Sequence, residues 1–210
     1  SHFTIGGHFP TLAPKDTLTA IPGLDSVVRH EGELTLYELY RHLDDPGSWR
    51  DILGLAYHDN RGIHINPPRP LIEDLDALPD PIRWEYAKTH RGLGMRSILA
   101  SRGCYYDCSF CSVRRFYGTA PGQLRRARSP GNVVSEMRRL FDDHGVRIFI
   151  FKDDDLCTRG RRHREWIHDF ARELRTSGLA SKVIWRISCR VDDVDFDLLA
   201  KLREVGLRFL

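Results

Sequence analysis

The run Val146-Arg147-Ile148-Phe149-Ile150-Phe151 constrains the fold more than any other part of the sequence. It is apolar apart from one arginine and rich in β-branched and aromatic residues, which predicts a strand buried on both faces, as in a parallel sheet. Such a strand needs covering layers, and the flanking sequence supplies them. Ser129 followed by Pro130 reads as an N-cap with proline at the first helical position, and Val133, Val134, Met137, Leu140 and Phe141 mark the helix face that follows. Trp166, Ile167, Phe170 and Leu174 mark a second helix, stopped near Gly178; Val183 to Ile187 reads as a strand; Phe196, Leu199 and Leu202 mark a third helix, stopped at Gly206. With a strand over Ser97 to Ser101 ahead of them and another from Leu207, these segments make three βα units and the start of a fourth. The period suits a parallel α/β barrel or an open sheet and does not separate the two.

The sequence before residue 91 is organised differently. Phe3-Thr4-Ile5 reads as a strand running into Gly6-Gly7, Ser26 to Arg29 as a second strand, and Leu36, Leu39, Tyr40 and Leu43 as one helix face, so residues 1–45 look like the end of an α/β domain. Residues 46–90 contain a hairpin centred on Asp59-Asn60-Arg61-Gly62, then Pro67-Pro68-Arg69-Pro70, Pro79 and Pro81, a proline density that gives a stiff extended connection. Residues 91–210 carry the βα units. Strand patterns already under way at both ends suggest a segment of a longer polypeptide.

Composition narrows the function classes. With 41% hydrophobic and 29% charged residues the chain is not globally disordered, and a formal net charge of +3 is too small to imply a nucleic-acid partner. No apolar run approaches a membrane span and no basic segment precedes an apolar one at the N-terminus, so neither membrane anchor nor signal peptide is expected and a cytoplasmic location is. Six arginines and one aspartate lie between Arg102 and Arg128, interleaved with Tyr105, Tyr106, Phe116 and Tyr117. A solvated face, or arginines beside anionic cofactor groups, accounts for this better than RNA. Arg159, Arg161, Arg162 and Arg164 precede a helix, where the macrodipole disfavours cations unless they point away or meet a partner.

Of five cysteines, Cys104, Cys108 and Cys111 lie within eight residues while Cys157 and Cys189 stand apart, a poor disulfide framework that points to metal or redox chemistry. Spaced C-x3-C-x2-C on a strand exit, three thiolates can hold three corners of a cube-shaped cluster and leave the fourth iron open. Structural zinc takes four ligands and ferredoxin-type carriers bring a fourth cysteine. Cys157 or Cys189 as a fourth ligand, a zinc site, and coincidence all stay open on spacing alone.

Cys104-x3-Cys108-x-Phe110-Cys111, with an aromatic residue directly before the third cysteine, resembles the signature of the radical S-adenosylmethionine (radical SAM) enzymes. Pro70 to Pro79 upstream, Arg128-Ser129-Pro130, Phe151-Lys152-Asp153-Asp154-Asp155 and Arg190-Val191-Asp192 resemble the subgroup with an N-terminal cobalamin-binding domain. The likeness covers nearly the whole chain. It implies the C-terminal part of a Rossmann-like cobalamin-binding domain followed by the first half of a radical SAM partial (β/α)6 barrel.

The same resemblance implies that Cys104, Cys108 and Cys111 bind a 4Fe-4S cluster. Its open iron would chelate S-adenosylmethionine, and reductive cleavage would give a 5′-deoxyadenosyl radical. Asp153 or Asp154 would meet the amino group of the methionine moiety, Arg190 its carboxylate, and Phe110 would shield the cluster or the adenine. Thr4-Ile5-Gly6-Gly7-His8 looks like the Gly-Gly feature that lets backbone approach cobalamin, with His8 a polar loop residue. Asp25 to Glu33 resembles the family's next strand and its Gly-Glu-Gly-Glu loop, with His30 in place of the first glycine. Methylation of an unactivated carbon of a small-molecule or peptide-derived substrate is the expected reaction, fed by a donor such as flavodoxin or ferredoxin. Radical ring closure or rearrangement, and a non-catalytic zinc or electron-transfer module, are the alternatives.

Overall fold

In the computed structural model, which describes residues 1–83, 88–157 and 159–210, the chain forms two units. The first comprises residues 1–73 and 105–124, the second residues 74–104 and 125–210.

The first unit is built on a four-stranded sheet in chain order, β1 (Thr4–Gly6), β2 (Ser26–Val28), β3 (Leu55–Asp59) and β4 (Gly62–Ile65). β1 and β2 are parallel, joined through the short helices α1 (His8–Leu12) and α2 (Pro14–Ala20); β3 and β4 add on antiparallel. The hairpin expected in the connecting segment 46–90 therefore continues the first sheet, because β3 hydrogen-bonds to β2 with Val27 opposite Ala56. The period of two then sorts the side chains. Val27 and Ala56 pack with Leu18 and Leu24, while Val28, Leu55 and Tyr57 pack with Leu39, Trp49 and Ile52. Helix α3 (Gly32–Arg41) contributes Leu39 and the buried Thr35, whereas Leu36 and Tyr40 are exposed, so the expected four-residue apolar face is narrower than its spacing suggested. Residues 105–124 add a fourth helix, α4 (Val113–Gly118), whose Phe116 is buried.

The second unit holds a five-stranded sheet, ordered β11-β10-β9-β6-β5. β5 (Lys88–His90) pairs antiparallel with β6 (Leu93–Ile98); β6, β9 (Val146–Phe151), β10 (Ile184–Arg186) and β11 (Leu207–Phe209) run parallel. The strand expected over Ser97 to Ser101 starts earlier, at Leu93, and ends at Ile98, with β7 (Ser101–Arg102) following as a separate two-residue strand paired to β8 (Arg126–Ala127). Helices α5 (Pro130–His144), α6 (Arg161–Thr176) and α7 (Phe196–Glu204) fall where the apolar spacing put them. Ser129 caps α5 by accepting from Asn132 N at 3.2 Å, and Gly145, at φ 63°, ends it. Asp195 caps α7 through Leu198 N at 3.1 Å.

One apolar cluster joins the three helices to the sheet through Phe149, Phe151, Phe170 and Trp185, all at most 2% exposed. Phe149 and Phe151 project from one face of β9; Ile148 and Ile150 are half-buried, so beyond Val146, which is fully buried, full burial falls on Phe149 and Phe151. Three of the four arginines around the start of α6 meet acids: Arg159 lies 3.0 Å from Asp193, Arg161 3.7 Å from Glu165 and Arg164 2.7 Å from Asp195. That answers their unfavourable placement against the helix dipole. Phe170 sits edge-on to Phe151 at 5.8 Å and to Trp185 at 5.5 Å. Phe170→Ala is expected to lower the stability of this unit by about 3–5 kcal/mol, read as a fall in the urea midpoint at unchanged slope.

Candidate functional site

The segments leaving the carboxyl ends of β6 and β9 in the second unit are tied together by consecutive aspartates. Lys152 N donates to Ile98 O at 2.9 Å, extending the ladder past the last strand residue. Asp153 then turns inward, 6% exposed, and accepts from Ser101 Oγ at 2.5 Å and Ala100 N at 3.2 Å. Burial pushes its carboxyl up to about 6, against the lowering effect of those hydrogen bonds and of Arg125. Asp154 faces outward and accepts from Gly103 N at 2.9 Å, one residue before Cys104. Asp155 turns inward again, 1% exposed, and burial with the neighbouring Asp193 carboxylate pushes it up to about 6. Arg125 and His163 are buried in the same neighbourhood; burial takes His163 down to about 4, so its ring is neutral.

Arg190 follows β10 and presents a two-pronged edge to a carboxylate. Its Nε donates to Asp192 Oδ1 at 3.0 Å and its Nη2 to Asp192 Oδ2 at 2.9 Å, and this holds the Asp192 carboxyl below its ordinary range.

The cysteine segment opens from the β7–β8 ladder. Cys104 ends one stretch of the second unit, and Cys108 and Cys111 lie in residues 105–124 of the first. All three are half-buried and outside any disulfide, and Cys111 N donates to Cys108 O at 2.9 Å, closing a turn over the C-x2-C part. Phe110 is 91% exposed. Among the described residues no group of three His, Cys, Asp or Glu is gathered closely enough to hold a metal ion, so the fit of this segment to a metal cluster rests on its donor chemistry. Three accessible thiols on a short irregular loop suit iron or zinc. Cys157 differs: burial, then the adjacent Cys189, push its thiol up to about 12, and Cys189 is raised too.

In the first unit, a Cβ on Gly6 would lie 3.0 Å from Val28 O, whereas Gly7, at φ 105°, faces open space ahead of α1. His30 has φ 59° and is buried; the neighbouring Glu31 accepts from Ile72 N at 2.7 Å.

No protein-family model matches the chain. It is 31% identical over 206 residues to an uncharacterized methyltransferase of Pyrococcus horikoshii, covering 96% of this chain and 42% of that one. It is 33% identical over 214 residues to the anaerobic magnesium-protoporphyrin IX monomethyl ester cyclase of Cereibacter sphaeroides, covering 97% of this chain and 33% of that one. Its backbone matches TsrM, a radical S-adenosylmethionine methyltransferase from Kitasatospora setae solved with cobalamin and a [4Fe-4S] cluster bound, at a TM-score of 0.72 and 20% identity over 98% of this chain and 40% of that one. In fold the chain is similar to solved cobalamin-dependent radical SAM enzymes, and in sequence to curated methyltransferases and a cyclase.

The chain spans less than half the length of these relatives. Of the residues expected at the site from sequence, Asp153, Asp154 and Arg190 lie on segments that follow parallel strands of the second unit. Cys108, Phe110 and Cys111, with Gly6 and Gly7, lie in the first. Sequence reasoning missed Ser101, Arg125, Asp155, His163 and Asp193. Asp155 alone carried a signal, as the third residue of an acidic triplet after an apolar strand. Among the described residues no helix is long and apolar enough to cross a membrane.

Asp155 has a folded value of about 6 against an ordinary 3.8, so its contribution to stability is fully present below about pH 4 and is lost as pH rises through about 6. Asp155→Asn is therefore expected to gain on the parent protein across that window, by up to about 3 kcal/mol at neutral pH. Urea unfolding at a series of pH values measures the difference; a difference independent of pH contradicts it.

Proposed function

We propose that this chain is the central part of a cobalamin-dependent radical SAM enzyme that methylates an unactivated carbon. The observation that carries the reading is the C-x3-C-x2-C segment opening from a strand exit, in a chain whose match to a methyltransferase runs through 96% of its residues. When bound, the cluster supplies the electron that cleaves S-adenosylmethionine to the deoxyadenosyl radical, and cobalamin supplies the methyl group.

Cys104, Cys108 and Cys111 would hold the 4Fe-4S cluster. Asp154, the outward member of the pair, is better disposed than Asp153 to receive the ammonium of the methionine moiety. Asp153 spends its carboxylate on Ser101 and Ala100 and holds the two strand exits in register. Arg190 offers the carboxylate of the same moiety an edge that already binds Asp192 in bidentate fashion. Phe110, exposed, is free to cover the bound group, and the open space before Gly7 suits close approach of cobalamin to backbone.

Residues 1–45 belong to the cobalamin-binding domain, 46–90 form its hairpin and the linker, and 91–210 the first half of a partial (β/α)6 barrel. The sequential order β6-β9-β10-β11, with the three helices in one cluster, supports a barrel half over a doubly wound sheet. The substrate class is a small molecule or peptide-derived compound, with flavodoxin or ferredoxin as electron donor. The similarity to a cyclase supports ring closure as a second reading.

Anaerobic reconstitution of the full-length protein is expected to give about four iron and four sulfide per chain, and 5′-deoxyadenosine on reduction with S-adenosylmethionine. Cys104→Ala should abolish that product, while Cys157→Ala should leave the iron content intact. One bound zinc and no 5′-deoxyadenosine would overturn the proposal. Label transferred from methyl-labelled S-adenosylmethionine to product separates methylation from ring closure.

A further inference from the structure

A non-glycine residue in the left-handed region is held there by its surroundings or it relaxes. His30 is such a residue, at φ 59° directly beyond β2, and it is anchored at both ends. Its backbone N–H donates to Thr11 Oγ1 on α1 at 2.9 Å, and its Nδ1 lies 2.8 Å from the carbonyl oxygen of Phe116 on α4. A carbonyl only accepts, so Nδ1 carries the proton and the ring is fixed in one neutral tautomer, with Nε2 buried and without a partner among the described residues. The Phe116 carbonyl lies in the last turn of α4, where helical carbonyls lose their intrahelical donors. His30 supplies the donor from another element.

A second histidine grips the same helix. His8 stacks on the Phe116 ring, centroids 4.4 Å apart and planes 9° from parallel, and its Nδ1 lies 2.7 Å from Ser112 Oγ. Ser112 is the residue after Cys111 and occupies the N-cap position of α4. Both ends of a six-residue helix are thus held by residues of the β1 and β2 exits, and the helix starts two residues after the third cysteine of the motif.

We propose that His30 is a positioning residue: by donating to the Phe116 carbonyl it fixes α4, and through α4 the place of Cys111. Its importance for catalysis rests on the cluster-binding reading of Cys111; the positioning itself does not, and can be tested on metal-free protein. Asparagine at this position tolerates the left-handed backbone and places an amide N–H where Nδ1–H was, whereas aspartate has the same shape and, above the pH at which it ionises, offers only acceptors; labelling is therefore run at alkaline pH.

The test is thiol labelling of full-length, metal-free His30→Asn and His30→Asp, with modification of Cys111 and Cys189 quantified separately by peptide mapping. His30→Asn should label Cys111 at close to the parent rate. His30→Asp should label it about tenfold faster, the equilibrium worth of one buried hydrogen bond, with Cys189 unchanged as the reference for general loosening. After reconstitution, the electron paramagnetic resonance signal with S-adenosylmethionine should follow the same order, unchanged in the asparagine variant and altered in the aspartate one. Asparagine and aspartate variants that behave alike, or Cys189 accelerated as much as Cys111, would overturn the assignment. Failure of the unsubstituted protein to form 5′-deoxyadenosine would instead remove the functional reading and leave the labelling result standing.

Discussion

The geometry of the second unit's strand exits depends on one buried carboxylate. Asp153 sits two residues beyond β9 and is satisfied by a hydroxyl and a backbone amide of the segment leaving β6. Burying a carboxylate carries a desolvation cost, which its raised proton affinity records, and the hydrogen bonds offset part of it. In exchange, the two segments leave their strands at a fixed separation, and the neighbouring Asp154 reaches the amide of Gly103 just ahead of Cys104. That register and the β7–β8 ladder together support the backbone just ahead of the first cysteine of the motif.

Much of the second unit was legible in the sequence because its signals are local. Apolar spacing located α5, α6 and α7, and the Ser129-Pro130 cap was written in residue types with strong positional preferences. The first unit was harder to read. Leu36 and Tyr40 have helical spacing yet face solvent, because Thr35 and Leu39 take the buried side and periodicity cannot say which stripe the sheet covers. The hairpin was visible at Asp59 to Gly62, but its pairing to β2 is a non-local hydrogen-bond choice that no local pattern records.

The site divides in the same way. The cysteine spacing and the acids after β9 could be read from residue type and position. What could not be read was orientation: that Asp153 and Asp155 turn inward while Asp154 turns outward follows from the period of two continuing past the strand end. The buried set of Arg125, His163 and Asp193 comes from three different segments, so only the fold brings it together. His30 was noticeable as a departure from glycine, and the structure gives it a hydrogen-bonding role that a glycine would lack.

The pairing of Arg190 with Asp192 has a consequence of its own. The Nε and Nη2 edge of the guanidinium is already matched to a carboxylate two residues along the chain. Any incoming carboxylate that engages that edge must take the place of a resident one, so binding there is an exchange of like for like. The local charge on the guanidinium changes little in such an exchange, and selection falls on shape: a ligand able to offer two oxygens side by side competes with Asp192, and one offering a single acceptor atom does not.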